Sequence, residues 1–303
     1  MGIKSTKARA ILLGIAGSFF FAFTFILNRT MNLTGGYWMY SAILRYAFTL
    51  PILFALLVRG RQYLPVLRDI KAKAPQWIIW STVGFGLFYL PLTMASLYAE
   101  SWFVCAMWQV TIVAGVLLTP LFGKRVPIKN LACSCLIVLG IFIMQLPRLM
   151  SGDGGSLEAF LLILVGAFSY PLGNRKTMAF CDEGLSTIQR IFGMTLCSMP
   201  FWLACTVVAW GNAGLPSAGQ CMQALAVAVF SGVIATVLFF KATDLVKNDP
   251  RTLAAVEATQ CGEVIFTLLL AIVFLKDGAP GLAGWIGIGV IVAGMTLASL
   301  VRK

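Results

Sequence analysis

Apolar residues occupy ten long stretches of this chain, at 8–27, 37–58, 77–99, 102–122, 128–146, 157–173, 185–210, 222–240, 253–275 and 283–301, and charged residues crowd into the short joins between them. About 20 apolar residues is the length at which an α-helix crosses the hydrocarbon core of a bilayer. The pattern therefore predicts ten transmembrane helices. Lys4, Lys7 and Arg9 precede the first stretch, as they would in a signal peptide. That stretch exceeds the usual ~7–15 apolar residues and meets Asn28-Arg29 with no small-residue cleavage site, so it reads as a retained helix. Trp38, Trp77, Trp102, Trp210 and Trp285 fall at run ends, where interfacial aromatics are expected.

Composition agrees with that pattern and narrows the chemistry. Of 303 residues, 59% are hydrophobic and only 11% charged, where a soluble domain carries about 25% charged. With a mean hydropathy of +0.90, this is an integral membrane protein without room for a soluble domain. The chain has no histidine, which removes the commonest general base and metal ligand. Six of the eight cysteines (Cys105, Cys133, Cys135, Cys197, Cys205, Cys261) lie inside apolar runs and read as packing residues. Cys133 and Cys135 point ~200° apart around a helix and cannot chelate one metal. No cofactor or metal is expected.

Charge sets the orientation. The chain holds 23 Lys and Arg against 11 Asp and Glu, and positively charged loops stay cytoplasmic. With the N-terminus inside, the basic residues gather at both termini and in the joins at 59–73, 124–129, 175–176 and 241–251. Only Arg29, Arg148 and Lys276 are left outside, while Arg45 and Arg190 fall within helices. N- and C-termini are thus expected to be cytoplasmic and the membrane to be the plasma (inner) membrane. The basic excess serves orientation and lipid headgroups. No basic stretch is long enough to form a nucleic-acid face.

Ser151-Gly152-Asp153-Gly154-Gly155-Ser156 is a flexible polar linker that divides the chain into two units of five helices, 1–150 and 151–303. The halves echo each other. Asn28-Arg29-Thr30-Met31 closes the first run and Asn174-Arg175-Lys176-Thr177-Met178 the sixth; Arg45 answers Arg190, Gln109 answers Gln260, and Pro127 answers Pro280. Five is odd, so the second unit enters the membrane upside down. Inverted repeats of this kind are the plan of many secondary transporters, in which a midplane cavity opens to one side and then the other.

The fourth and ninth runs end alike, at Leu121-Phe122-Gly123-Lys124-Arg125-Val126-Pro127 and Phe274-Leu275-Lys276-Asp277-Gly278-Ala279-Pro280, each before a glycine-bearing final helix. In this and in its span count and orientation the chain resembles the drug/metabolite transporter superfamily in its ten-helix form, and most of all the putative multidrug resistance efflux transporters. Many members carry Gly-Glu-Arg here; this chain reads Gly123-Lys124-Arg125 and Lys276-Asp277-Gly278. The resemblance implies export of small, lipophilic or drug-like molecules. Small four-helix relatives use a first-helix carboxylate for proton-coupled export. Neither the first run nor the body of the sixth holds an acid here, Glu158 being at an end, so that mechanism does not carry over.

Ionisable groups near the bilayer centre cost ~2.5–3.5 kcal/mol each and call for an explanation. There are four: Arg45, Arg190, Glu257 and Glu263. Glu263 lies 11 residues beyond Thr252, ~16 Å at the helical rise and near the midplane. It shares a face with Thr252, Thr259, Gln260 and Thr267, whereas Glu257 points ~120° away. In the fourth run Ser101, Cys105, Trp108 and Thr119 form the comparable stripe, with Gln109 on its edge. Two readings of Glu263 stand side by side: it exchanges a proton for substrate, or Arg45 or Arg190 pairs with it to lock helices together. Arg190 and Glu257, nearer the inner interface, suit snorkelling or helix-end pairing. Trp108 and Tyr89 offer faces for a flat or cationic substrate. Pro91 and Pro171 mark bends or gates. Gly14 with Ser18, and Gly284, Gly287, Gly289 and Gly294, permit close helix approach, within one chain or in a homodimer. The expected substrate site is therefore Glu263, Gln260, Trp108, Gln109, Arg45, Arg190 and Tyr89, with protons as coupling ion. Export or exchange of small anionic or amino-acid metabolites, and a membrane-embedded lipid-modifying enzyme, are the alternatives; Asp182-Glu183 is the nearest acidic pair such an enzyme could use.

Overall fold

The computed structural model describes residues 3–123, 125–152, 154–246 and 249–301. Lys124, Asp153, Lys247, Arg302 and Lys303, used above to read the linker and the orientation, lie outside the described residues, as do the side chains of Lys4 and Arg251. Among the described residues there is no strand, and nine helices are long and apolar enough to cross a membrane: α1 (Ile3–Leu33), α2 (Trp38–Val58), α3 (Ala74–Ala95), α5 (Ile128–Met150), α6 (Gly154–Phe180), α7 (Thr187–Ala213), α8 (Ala218–Val246), α9 (250–275) and α10 (Leu282–Val301). The fourth expected span is a shorter apolar helix, α4 (Ser101–Leu117), closed by a 3-10 turn over Thr119–Phe122. Every residue from Ser101 to Trp108 is buried. A helix surrounded by protein can shorten and break, because neighbours satisfy the backbone groups that lipid could not.

Other expectations shift with packing. The Asn28 and Asn174 motifs do not close their helices; α1 runs on to Leu33 and α6 to Phe180. Trp210 and Trp285 are exposed at 64% and 51%, but Trp77 and Trp102 are buried. Trp77 Nε1 donates to Asp69 at 3.0 Å, tying α3 to the short amphipathic helix Tyr63–Ala72 that precedes it. Large apolar side chains such as Leu12, Phe142, Leu203, Val207 and Phe274 are exposed, an outer apolar surface that suits lipid and not water. All eight cysteines are free.

The helix pairings exchange between the halves. α5 lies along α10 and α2 crosses α7; α3 packs on α6 as α1 packs on α8; α7 meets α3 as α2 meets α8; α4 meets α6 as α9 meets α1. The α5–α10 seam is made by glycine. A Cβ at Gly140 would lie 2.6 Å from the Gly287 carbonyl, and one at Gly294 would lie 3.0 Å from the Ile137 amide nitrogen, so these glycines serve contacts within the chain. Gly14 packs against Thr259, and Ser18 Oγ donates to the Thr259 carbonyl at 2.6 Å, seating α1 on α9.

Departures from α geometry also recur. α3 widens into a π turn at Thr82–Gly86 and α8 at Ala228–Ala235; α9 has a further wide turn at Ala271–Leu275. α4 tightens at Gln109, whose N–H bonds the Ala106 carbonyl three residues back at 3.2 Å. α9 tightens at Thr259 and Gln260, with N–H bonds to Val256 and Glu257 at 3.1 Å each. The two tightened helices close on left-handed residues, Gly123 (φ 69) after the 3-10 turn and Lys276 (φ 54). Pro171 leaves α6 unbroken. Its missing N–H releases the carbonyl four residues back, that of Ala167, and Thr111 Oγ1 donates to it at 3.2 Å from α4.

Candidate functional site

A cavity of about 610 Å³ lies among the helices, lined by residues of α1 through α10. Tightening of α9 shapes one wall. A 3-10 helix has three residues per turn, so residues three and six apart come to one side; Glu263 N–H bonds Gln260 at 3.0 Å and Gln260 N–H bonds Glu257 at 3.1 Å. Glu257, Gln260 and Glu263 all line the cavity. The expectation that Glu257 and Glu263 point to different faces assumed a regular α-helix, and the local overwinding corrects it.

Glu263 is 8% exposed. The side-chain amide of Gln109 faces its carboxylate from the break in α4, and Gln109 Nε2 also donates to the Cys105 carbonyl at 3.1 Å. Beside this pair stand three aromatic rings: Phe88 lies 5.0 Å from Trp108 and 4.8 Å from Tyr170, centroid to centroid, and Trp108 lies 6.0 Å from Tyr170.

Arg45 enters the cavity from α2. Its guanidinium is 4.2 Å from the centroid of Tyr89, and it donates to Thr24 Oγ1 at 3.4 Å and Ser231 Oγ at 3.3 Å, two hydroxyls that bond each other at 2.5 Å. Tyr46 stacks on Trp202 at 4.8 Å and 17° in the same wall. Among the described residues no ion pair within 4.0 Å joins Glu263 to Arg45 or Arg190. The helix-locking ion pair weighed for Glu263 is thus not formed.

Six of the seven expected site residues line the cavity: Glu263, Gln260, Trp108, Gln109, Arg45 and Arg190. Arg190 sits at the start of α7 and bonds Thr187 in its own first turn at 3.2 Å. Tyr89 is fully buried behind Arg45, its hydroxyl donating to Asn28 Oδ1 at 3.1 Å and accepting from Asn28 Nδ2 at 3.0 Å, so it supports the arginine and does not line the cavity. Phe88, Tyr46, Tyr170, Thr24 and Ser231 line the cavity as well and are not among the expected site residues.

The cavity reaches one end of the bundle and is closed from the other. Its lining extends to Asn130, Arg190 and Ser299, at the starts of α5 and α7 and the end of α10. There the chain is joined by Lys7 with Asp249 at 2.7 Å and by Gln189 Nε2 donating to the Gln62 carbonyl at 2.6 Å. At the far end Arg148 pairs with Glu100 at 2.7 Å and lies 4.1 Å over Phe103, while Ser101 Oγ donates to Asp277 at 3.2 Å. Tyr40 also donates to the Gly214 carbonyl there at 2.6 Å, and Gln220 to that of Tyr37 at 2.8 Å. Asp182 and Glu183 are exposed, and among the described residues no three acids, cysteines or histidines gather as metal ligands.

A multi-pass helical membrane protein with a largely apolar internal cavity that carries a few polar and charged groups is the class that fold and site define. The chain matches the model of the putative multidrug resistance efflux transporter family (EmrE) over residues 8–303, and it belongs to that family, whose members are transporters and not enzymes. It is 46% identical over 312 residues to the uncharacterized protein YjlA of Bacillus subtilis (strain 168), covering 97% of this chain and 96% of that one. It is 41% identical over 270 residues to an uncharacterized 42.1 kDa protein of Shouchella clausii, covering 86% of this chain and 71% of that one. One crystal structure superposes with a TM-score of 0.65 over 97% of both chains at 16% identity, a likeness of fold alone.

Proposed function

We propose that the protein is a secondary transporter of the plasma membrane that exports small lipophilic or drug-like molecules by alternating access, with Glu263 exchanging a proton for substrate. Two five-helix units, 1–150 and 151–303, are inverted with respect to each other and share the cavity. The exchanged pairings support this, since α3 with α6 and α1 with α8 are the same contact seen from the two halves. Matching wide turns in α3 and α8, and matching tight turns in α4 and α9, support it further. By the positive-inside rule the open end is cytoplasmic, so this conformation loads substrate from within.

The single observation that carries the reading is the buried carboxylate of Glu263, which lines a cavity sealed at one end and makes no ion pair within 4.0 Å among the described residues. Flux of candidate solutes into proteoliposomes, driven by a pH gradient, tests it. Wild-type protein moves solute with the gradient; Glu263→Gln inserts and folds but loses the pH drive. Unchanged flux in that variant removes the proton coupling, and absence of gradient-driven flux removes the transporter. Cysteine labelling at 150 and 303 tests the inversion: both on one side of the membrane overturns it.

A further inference from the structure

Between α2 and α3 the short helix Tyr63–Ala72 presents cations at the end of the bundle that the positive-inside rule assigns to the cytoplasm. α2 gives way to two successive left-handed residues, Gly60 (φ 72) and Arg61 (φ 54), which break the helical path. Glycine takes that conformation freely and arginine does not. Tyr63, Val66 and Ile70 then recur at helical spacing and pack on the core, whereas Arg59, Arg61, Arg68 and Lys71 are exposed. Among the described residues no ion pair within 4.0 Å involves these four. The acid of the helix, Asp69, is engaged elsewhere, by Lys73 at 2.8 Å and Trp77 Nε1 at 3.0 Å. Asp182, in the loop before α7, acts on Lys73 as well and accepts from the Gly184 N–H at 2.8 Å.

We infer that this helix binds an anionic phospholipid of the facing leaflet, its phosphate among Arg59, Arg61, Arg68 and Lys71 and its acyl chains on the apolar side chains beside them. Basic loops orient any membrane protein; these cations differ in standing on a helix that is clamped from beneath. Lys73 Nζ donates to the Phe180 carbonyl at the end of α6 at 2.7 Å, and Gln189 Nε2 of α7 donates to the Gln62 carbonyl at 2.6 Å. Val66 fills the space left by Gly193 of α7, where a Cβ would lie 2.9 Å from Val66 Cγ1. Apolar groups flank the cations: Leu67, one turn before Lys71, is exposed, as are Phe54, Leu56 and Val58 of α2 and Ile78 and Ile79 of α3. Free phosphate would meet the charges and leave these side chains uncovered, whereas a phospholipid satisfies both at once. Four like charges between positions 59 and 71 also repel one another, and an anionic headgroup relieves that repulsion. Gln189 adjoins Arg190 at the open mouth of the cavity, so a bound lipid braces the inner ends of α3, α6 and α7.

Full-length protein in neutral detergent, titrated with phosphatidylglycerol, phosphatidylcholine or inorganic phosphate, tests this by native mass spectrometry and thermal shift. Phosphatidylglycerol is expected to bind and raise Tm by several degrees, and phosphatidylcholine to bind about tenfold more weakly or less, since only the first carries net charge to the cations. Inorganic phosphate at matched concentration should give no shift. Combining Arg59→Gln, Arg61→Gln, Arg68→Gln and Lys71→Gln should abolish the difference between the two lipids. Arg9, Arg125, Lys129 and Lys241 are also exposed, and replacing those four by Gln instead should preserve it. Where the first variant does not fold, the wild-type protein still decides: phosphatidylglycerol should shield Lys71 from amine acetylation several-fold more than it shields Lys129, read by peptide mass spectrometry. Equal response to the two lipids, an unchanged difference in the first variant, equal loss in both variants, stabilisation by inorganic phosphate alone, or equal shielding of the two lysines overturns the inference.

Discussion

Gln109 and Gln260 each mark the place where a cavity-lining helix tightens, their N–H groups reaching back three residues, to Ala106 at 3.2 Å and to Glu257 at 3.1 Å. Both side chains line the cavity, and Gln109 faces Glu263. Four measurements follow from contacts of this kind.

The α5–α10 seam leaves no room for a side chain at Gly140, Gly287 or Gly294. A Cβ at Gly287 would meet Met144 Cγ at 2.3 Å and the Gly140 carbonyl at 2.6 Å, whereas one at Gly289 meets nothing within 4 Å. Gly287→Ala is therefore expected to cost about 1–3 kcal/mol, the usual penalty of overpacking. Gly289→Ala should be neutral. Thermal melts of the two variants in detergent check the contrast; equal melting temperatures would refute the close approach.

Thr111 supplies the bond that Pro171 cannot. Thr111→Val strips the donor from the Ala167 carbonyl, and a buried acceptor left alone costs about 1–3 kcal/mol. Pro171→Ala returns a backbone N–H to α6, so in the double variant the loss from Thr111→Val should shrink. A double-mutant cycle on melting free energies reads this, and additive effects would show that the hydroxyl does something else.

Lys7 beside Asp249, together with the N–H and hydroxyl of Thr252, holds the Asp249 carboxyl below its ordinary value of 3.8. A carboxylate depressed on folding stabilises above its unfolded pKa, and that stabilisation is lost as pH falls through the lower, folded one. Melting temperature should accordingly decline on acidification below about pH 4, and Asp249→Asn should flatten that part of the profile. The pair is surface-exposed, 45% at Lys7 and 35% at Asp249, so the effect at neutral pH is small. An unaltered acid limb in Asp249→Asn would exclude the role.

On the proposed mechanism the Glu100–Arg148 pair latches the far end. Glu100→Gln should shift the population toward the state open there. Cys105, fully buried one turn beyond Ser101 in α4, reports on it: its modification by a membrane-impermeant thiol reagent, read by mass spectrometry, should rise several-fold. Unchanged labelling would argue against a latch.

The sequence made some of this legible and not the rest, for physical reasons. Arg45, Gln109, Gln260 and Glu263 stand out because a polar group in an apolar run is costly and must be placed. Thr24 and Ser231 do not, because a hydroxyl in a helix ordinarily bonds its own backbone and leaves no trace in the pattern. Phe88 and Tyr46 are lost among many membrane aromatics. Glu257 was assigned to the wrong face because 100° per residue was assumed through Thr259 and Gln260, where the chain is wound tighter. The length of α4 was overestimated for a related reason: hydropathy measures dislike of water and cannot tell a lipid neighbour from a protein one.

The wide turns of α3 and α8 place slack inside the bundle. A π turn stores a surplus residue, and its hydrogen bonds can be handed to the adjoining turn without any being given up. Gly84, in the α3 turn, is packed so tightly on Gly173 that a Cβ there would lie 3.2 Å from its Cα. That approach holds only while glycine faces glycine: turning α3 by one residue, roughly 100°, would bring the side chain of Val83 or Phe85 to a point where no Cβ fits. The wide turn of α3 is thus pinned by the seam beside it, and α3 and α6 keep one register where they cross.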